Sequence, residues 1–171
     1  EVAGSDAAAV LARGLAQVPQ GREVFASMTV EENLELGGAR HGSLRHVREL
    51  ISRMLDLFPM LAERRGERAG MLSGGQQQQL AIARALMAEP RMLMMDEPSA
   101  GLAPVVVDHM IETILGLKSR GLTILLVEQN VGVAAAVASH AHVLQNGCIG
   151  FSSPAAGLLD NPDLISSYLG R

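Results

Sequence analysis

Four consecutive apolar residues, Met92 to Met95, run without a break into two carboxylates and a proline, Asp96-Glu97-Pro98. An unbroken apolar run this short reads as a strand buried on both faces, and such strands belong to parallel sheets flanked by helices. The two carboxylates then stand at the C-terminal edge of the sheet, where α/β domains bind their ligands. Asp96 suits a Mg²⁺ ion, directly or through water. Glu97 suits taking a proton from an attacking water. A strand that simply ends in a solvated acidic turn has the same local sequence.

The flanking segments alternate in the same sense. Gly14–Val18 reads as a strand closed by Pro19 and Gly21. Thr29 and Glu32 form a capping-box start for a short helix that Gly37-Gly38 stops. In the next stretch Val47, Leu50, Ile51, Met54, Leu55 and Phe58 share one helical face. The polar, glycine-punctuated stretch from Ala62 to Met71 is expected to be a loop. A helix is expected from Ser73 towards Ala88, and another opened by Pro104 and ended by Gly121, with Val106, Met110, Ile114 and Leu117 on one face. Leu122–Val127 reads as a second buried strand and Val131–Ser139 as a small-residue helix. Asn146-Gly147 is a hairpin turn between Ala141–Leu144 and Cys148–Phe151. Pro162–Leu169 is expected to be helical. Together these elements predict an α/β domain with a mainly parallel sheet covered on both faces and a helical insertion between its strands.

At 171 residues with 48% apolar and 19% charged content, the chain can bury one core. A net charge of −4 and only Phe25, Phe58, Phe151 and Tyr168 as aromatics leave neither a basic surface nor a stacking platform for nucleic acid. The single cysteine, Cys148, excludes an internal disulfide and fits a reducing compartment. No apolar run reaches the length of a membrane span. Glu1-Val2-Ala3-Gly4 has neither an initiator Met nor a signal pattern and reads as an internal starting point. The five histidines are not spaced as a metal site, and solvated or capping roles are expected of them.

A second chemistry-bearing segment precedes the acidic strand. In Leu72-Ser73-Gly74-Gly75-Gln76, Ser73 is a good N-cap and Gln76, three residues on, can complete a capping box. The two glycines leave backbone N–H groups uncovered at the positive end of a helix, a geometry that binds phosphate oxygens. An ordinary capped helix start would look the same.

A Ser-Gly-Gly helix leading into a strand that ends Asp-Glu-Pro, with Ser99-Ala100-Gly101-Leu102 beyond, resembles the ABC ATPase family, where these are the signature loop, the Walker B strand and the D-loop. Val18-Pro19-Gln20-Gly21-Arg22 followed by Met28-Thr29-Val30-Glu31-Glu32-Asn33-Leu34 resembles the family's Q-loop and the entry to its helical subdomain. Leu125-Leu126-Val127-Glu128-Gln129-Asn130 resembles its switch strand. Ser99–Pro104 and the ending Ser167-Tyr168-Leu169-Gly170 are similar to ATP-binding subunits of branched-chain amino acid importers (the LivF type), while the glutamines at 76–79 resemble urea-importer ATPases.

The resemblance implies a partial P-loop NTPase, RecA-like fold in three parts: residues 1–26 as the end of the nucleotide-binding core with the Q-loop, 27–71 as the helical subdomain, and 72–171 as the signature helix, Walker B, D-loop, switch strand and remaining core. It implies ATP and Mg²⁺ as ligands. Ser73, Gly74, Gly75 and Gln76 would bind a nucleotide held by a second ATPase subunit, identical or not, closed head-to-tail. Asp96 and Gln20 would serve Mg²⁺, Glu97 would be the general base, and Gln129 would contact the γ-phosphate. Most relatives carry His at this last position, which can become a cation where Gln cannot. The expected partners are two membrane permease subunits and, indirectly, a periplasmic or extracellular solute-binding protein. The expected location is the cytoplasmic face of the cell membrane, held peripherally.

No G-x-x-x-x-G-K-[S/T] occurs in the 171 residues, and Lys118 is the only lysine. That loop cradles the β- and γ-phosphates, so the 171-residue chain by itself is expected to be inactive and aggregation-prone. A soluble ABC ATPase acting on DNA or the ribosome is the other class, but the interval Gly21–Leu72 has no sustained heptads and the chain has no room for a second such domain.

Overall fold

The structure, a computed structural model, describes residues 2–158. The helix expected at Pro162–Leu169 and the Ser167–Gly170 ending lie outside the described residues.

Three parallel strands form the central sheet in the order β1 (Leu15–Val18), β2 (Met92–Asp96), β3 (Thr123–Val127). The register puts Ala16, Leu93 and Ile124 on one face, with Val18, Met95 and Leu126 beside them. That face is the floor of the core, shared with Leu80 and Ile82 of α5 (Gly74–Leu86) and Met110, Ile114 and Leu117 of α6 (Pro104–Ser119). A short helix, α1 (Ala7–Ala12), which the sequence reading did not identify, starts on Asp6, whose carboxylate accepts the Ala9 N–H, and packs on β1.

The opposite face departs from the expectation of a sheet covered on both sides. Gln17, Leu125 and Val127 are exposed there, the last two at 44% and 51%, and Met92 and Met94 are only half-buried. Leu122–Val127 is therefore not a fully buried strand. Its apolar composition is that of a strand with two faces to cover, and among the described residues only one has helices against it.

Between β1 and α5 the chain forms α2 (Val30–Gly37), α3 (Leu44–Leu57) and α4 (Pro59–Glu63). The Thr29–Glu32 capping box is complete: Thr29 N–H donates to Glu32 Oε2 at 2.7 Å, and Glu32 N–H donates to Thr29 Oγ1 at 3.1 Å. The α3 face reads as expected, with Val47, Leu50, Ile51 and Leu55 buried. The expected loop from Ala62 to Met71 is more ordered than its polar sequence suggests. Pro59 starts α4 at the first-turn position proline favours, and a single 3₁₀ turn covers Ala69–Met71. An ion pair from Arg65 to Glu31 ties this segment to α2, and the guanidinium's hydrogen bond holds the Glu31 carboxyl below its ordinary range.

After β3, α7 (Val131–Val137) receives the ammonium of Lys118 on its last carbonyl, Val137 O, at 3.0 Å. The hairpin β4 (His140–Gln145) and β5 (Cys148–Pro154) turns at Asn146-Gly147, whose φ values of 50° and 79° are those of the two-residue turn the sequence predicts.

Candidate functional site

Glu97 sits one residue past β2, where the C-terminal ends of β1, β2 and β3 converge. Its backbone is in the left-handed region, φ 44°, directly before Pro98, and its N–H is held by Val127 O at 2.8 Å. A non-glycine residue takes this conformation at a cost, and it persists where neighbours enforce it. Here it turns the carboxylate between two amides. Gln20 Nε2, from the loop after β1, donates to Glu97 Oε2 at 2.9 Å, and Gln129 Nε2, from the loop after β3, donates to Oε1 at 2.6 Å. Two residues 77 and 32 positions away thus meet at the Glu97 carboxylate.

The carboxylate lines an open cleft of about 520 Å³ with Gln20, Gly21, Arg22, Gln78, Ala100 and Gly101. Asp96, the last residue of β2, pairs with Val127 across the ladder and is half-buried at the same sheet edge. Because Gln20 uses its Nε2 on Glu97, its carbonyl oxygen remains as an acceptor. With Asp96 it is a hard oxygen donor of the kind Mg²⁺ takes.

Ser73, Gly74, Gly75 and Gln76 lie outside that cleft lining, at the start of α5. The capping box is formed: Ser73 N–H donates to Gln76 Oε1 at 2.8 Å, and Gln76 N–H donates to Ser73 Oγ at 3.4 Å. The Gln76 carbonyl is thus committed to the cap. The N–H groups of Gly74 and Gly75 have no acceptor among the described residues, and neither glycine is buried. At Gly75 a side chain would run into Val106, whereas at Gly74 it would meet only the movable end of Arg22. A Cβ on Gly75 would come within 2.3 Å of Val106 Cγ1, and one on Gly74 within 2.7 Å of Arg22 Nη1.

Several supporting residues were not identified from sequence. Arg22 lines the cleft and lies against Gly74, so it joins the Glu97 cleft to the start of α5. Its φ of 72° and that of Glu23, 41°, place two consecutive non-glycine residues in the left-handed region. The loop they form is anchored by Arg84, which donates to Glu23 O at 2.7 Å and stacks on Phe25 at 4.9 Å, burial holding its guanidinium below the usual arginine range. It is anchored again by fully buried Asn33, which accepts from Phe25 N–H and donates to Phe25 O and Thr29 O. Glu128 accepts from both the N–H and the hydroxyl of Ser99, at 2.9 and 2.8 Å, fixing the segment after Pro98 to the end of β3. A carboxylate just past a buried-type strand was the available sign for Glu128.

A parallel sheet with a carboxylate and an open cleft at its carboxyl edge, beside a glycine-opened helix start, has the layout of an α/β domain that binds its ligand at the strand ends. Residues 3–100 match the model of the ABC transporter family. Over 170 residues the chain is 44% identical to the high-affinity branched-chain amino acid transport ATP-binding protein BraG of Pseudomonas aeruginosa, covering 99% of this chain and 72% of BraG. It is 42% identical over 158 residues to the probable branched-chain amino acid transport ATP-binding protein LivF of Archaeoglobus fulgidus, covering 92% of this chain and 66% of that one. The crystal structure of the ADP conformation of MJ1267, an ATP-binding cassette of an ABC transporter, superposes with a TM-score of 0.83 at 28% identity over 96% of this chain and 71% of that one. The chain belongs to the ABC transporter family, as a portion of its ATP-binding cassette.

Proposed function

We propose that the chain is part of the ATP-hydrolysing subunit of an importer that takes up branched-chain amino acids. The substrate class comes from its likeness to BraG and LivF. The reaction is carried by one observation, the Glu97 carboxylate held between Gln20 and Gln129.

On this reading Glu97 is the general base towards a water that attacks the γ-phosphate of ATP. Both of its oxygens carry an amide N–H in the resting arrangement, and each keeps a further lone-pair site through which the carboxylate can take that water's proton. Gln129, held on the same carboxylate, would contact the γ-phosphate through its amide. Asp96 and the Gln20 carbonyl would hold Mg²⁺, which supplies charge neutralisation at the transferring phosphoryl group. Ser73 and the open amides of Gly74 and Gly75 serve a nucleotide anchored on a second subunit, so closure of the pair completes the site. Residues 27–71 act as the helical subdomain that joins the Gln20 loop to permease subunits at the cytoplasmic face of the membrane, with residues 1–26 and 72–171 in the core. A solute-binding protein delivers the amino acid from the other side. Among the described residues no helix is long and apolar enough to cross a membrane, so attachment through permeases is the mode this reading requires.

The test uses the complete subunit with its permeases in vesicles. Glu97→Gln should leave ATP binding intact and lower turnover by roughly 10²-fold or more, and leucine uptake should fall with it. Equal losses of binding and turnover would remove Glu97 from the base role. Vesicles that accumulate urea but no leucine, isoleucine or valine would refute the substrate while leaving the chemistry standing.

A further inference from the structure

Away from the cleft, the structure gathers three metal-ligating side chains that the sequence keeps apart. His41 lies in the turn after α2, His46 in the first turn of α3, and Glu89 in the turn between α5 and β2. One ligand atom from each lies within 4.8 Å of the other two. The imidazole rings stand edge-on, 4.8 Å between centroids at 80°. His46 Nε2 is 2.8 Å from Glu89 Oε2, and Glu89 Oε1 is 3.5 Å from Arg53 Nη1.

We propose that His41, His46 and Glu89 form a three-ligand site for a divalent first-row transition ion, with Zn²⁺ the best fit and water completing a tetrahedron.

The donor set selects the ion. Two imidazole nitrogens and one carboxylate oxygen suit Zn²⁺ and its neighbours, whereas Mg²⁺ and Ca²⁺ prefer oxygen throughout. At His41 the hydrogen bonding suits such an ion without rearrangement. His41 Nε2 is 2.9 Å from Met87 O. A carbonyl can only accept, so that nitrogen carries the proton and the lone pair of the neutral ring falls on Nδ1. A ligating histidine tied by its other nitrogen to a backbone carbonyl is the usual outer-shell arrangement, because it fixes the ring's orientation. At His46, an ion between Nε2 and Glu89 Oε2 replaces the proton now shared there, which moves to Nδ1 as the ring changes tautomer. Arg53 stays beside the other carboxylate oxygen and keeps Glu89 oriented.

The scaffold is held at both ends. His46 N–H is capped by Ser43 Oγ at 3.3 Å, and Arg40 donates to Leu11 O at 3.0 Å. Glu89 adopts φ 47° immediately before Pro90, an unfavourable conformation that directs its side chain back to α3. Zinc–ligand bonds of about 2.0–2.2 Å need the ligand atoms roughly 3.4 Å apart, so side-chain rotations of about an ångström close the site without moving the backbone. The ion would fasten the start of α3 to the end of α5. This reading reverses the expectation that the five histidines do no more than cap or face solvent.

The experiment titrates the complete, chelator-stripped subunit with Zn²⁺ alone by calorimetry. One ion per chain is expected, with a rise in Tm. His46→Ala and Glu89→Gln should each weaken binding by more than the roughly 100-fold that loss of an outer-shell partner can reach. A His109→Ala, His142→Ala double variant should bind as before. If a ligand variant does not fold, Co²⁺ in the unaltered protein gives a second reading, and the visible band of a tetrahedral ion is expected. Absence of a saturable site, binding indifferent to His46 and Glu89, or an octahedral Co²⁺ spectrum would overturn the assignment, leaving the three residues as an ion-pair network.

Discussion

At the scale of single residues, the Ser73–Gln76 segment forms the cap its sequence allows and still leaves two amides without an acceptor among the described residues. The capping box satisfies the Gln76 N–H, while the amides of Gly74 and Gly75 are left open. The sequence made both halves visible, because capping and glycine exposure are local properties. It could not reveal why position 75 has no side chain, since the reason is Val106, 31 residues on. A Cβ at 75 would overlap Val106 Cγ1 at 2.3 Å, and either α5 or α6 must yield. Gly75→Ala should therefore destabilise the complete subunit by about 1–3 kcal/mol, the scale of overpacking, read as a fall in the urea midpoint. Adding Val106→Ala should recover most of it, as Val106 is only half-buried and its own loss is small. A double variant no more stable than the single one would place the conflict elsewhere.

At the scale of elements, what the sequence disclosed and what it concealed divide by the range of the interactions. The capped start of α2, the apolar stripe of α3, the proline that opens α6 and the Asn146-Gly147 turn are each written within a few neighbouring residues, and each is found where expected. The strand pairing that brings Gln20 and Gln129 to Glu97 was legible only through family resemblance, since nothing in their spacing implies one carboxylate. The order within residues 59–71 was missed because it comes from outside: Thr29 bridges Arg68, and Glu31 pairs with Arg65. The loop from Gln20 to α2 depends likewise on Asn33, a fully buried side chain that makes three hydrogen bonds to Phe25 and Thr29. Asn33→Ala removes the amide and strands Phe25 N–H, while Phe25 O keeps the Met28 N–H and Thr29 O keeps the backbone N–H of position 33. A loss of about 1–3 kcal/mol is expected from that one stranded donor, and amide hydrogen exchange at Phe25 should accelerate more than exchange across β2. Equal acceleration everywhere would mean that Asn33 supports global stability and not this loop in particular.

For the molecule as a whole, the asymmetry of the sheet decides behaviour. One face of β1, β2 and β3 is sealed by α5 and α6. Among the described residues, the other face shows Leu125 and Val127 to solvent beside half-buried Met92 and Met94, with β3 as an edge. Parallel strands are at home only with both faces covered, and an apolar face joined to an open strand edge invites pairing between copies. The 171-residue chain, produced alone, should therefore self-associate, with a scattering mass that grows with protein concentration. It should hydrolyse no ATP, because no G-x-x-x-x-G-K-[S/T] stands in it to hold the phosphates. Leu125→Lys puts a charge on the open face at a site where no core contact is lost. It should lower the scattering mass while leaving far-ultraviolet circular dichroism unchanged and turnover still absent. A chain that stays monomeric at every concentration tested would mean that this face is satisfied in solution by something other than a second copy. Turnover abolished by Glu97→Gln would mean that the phosphates are held without that loop.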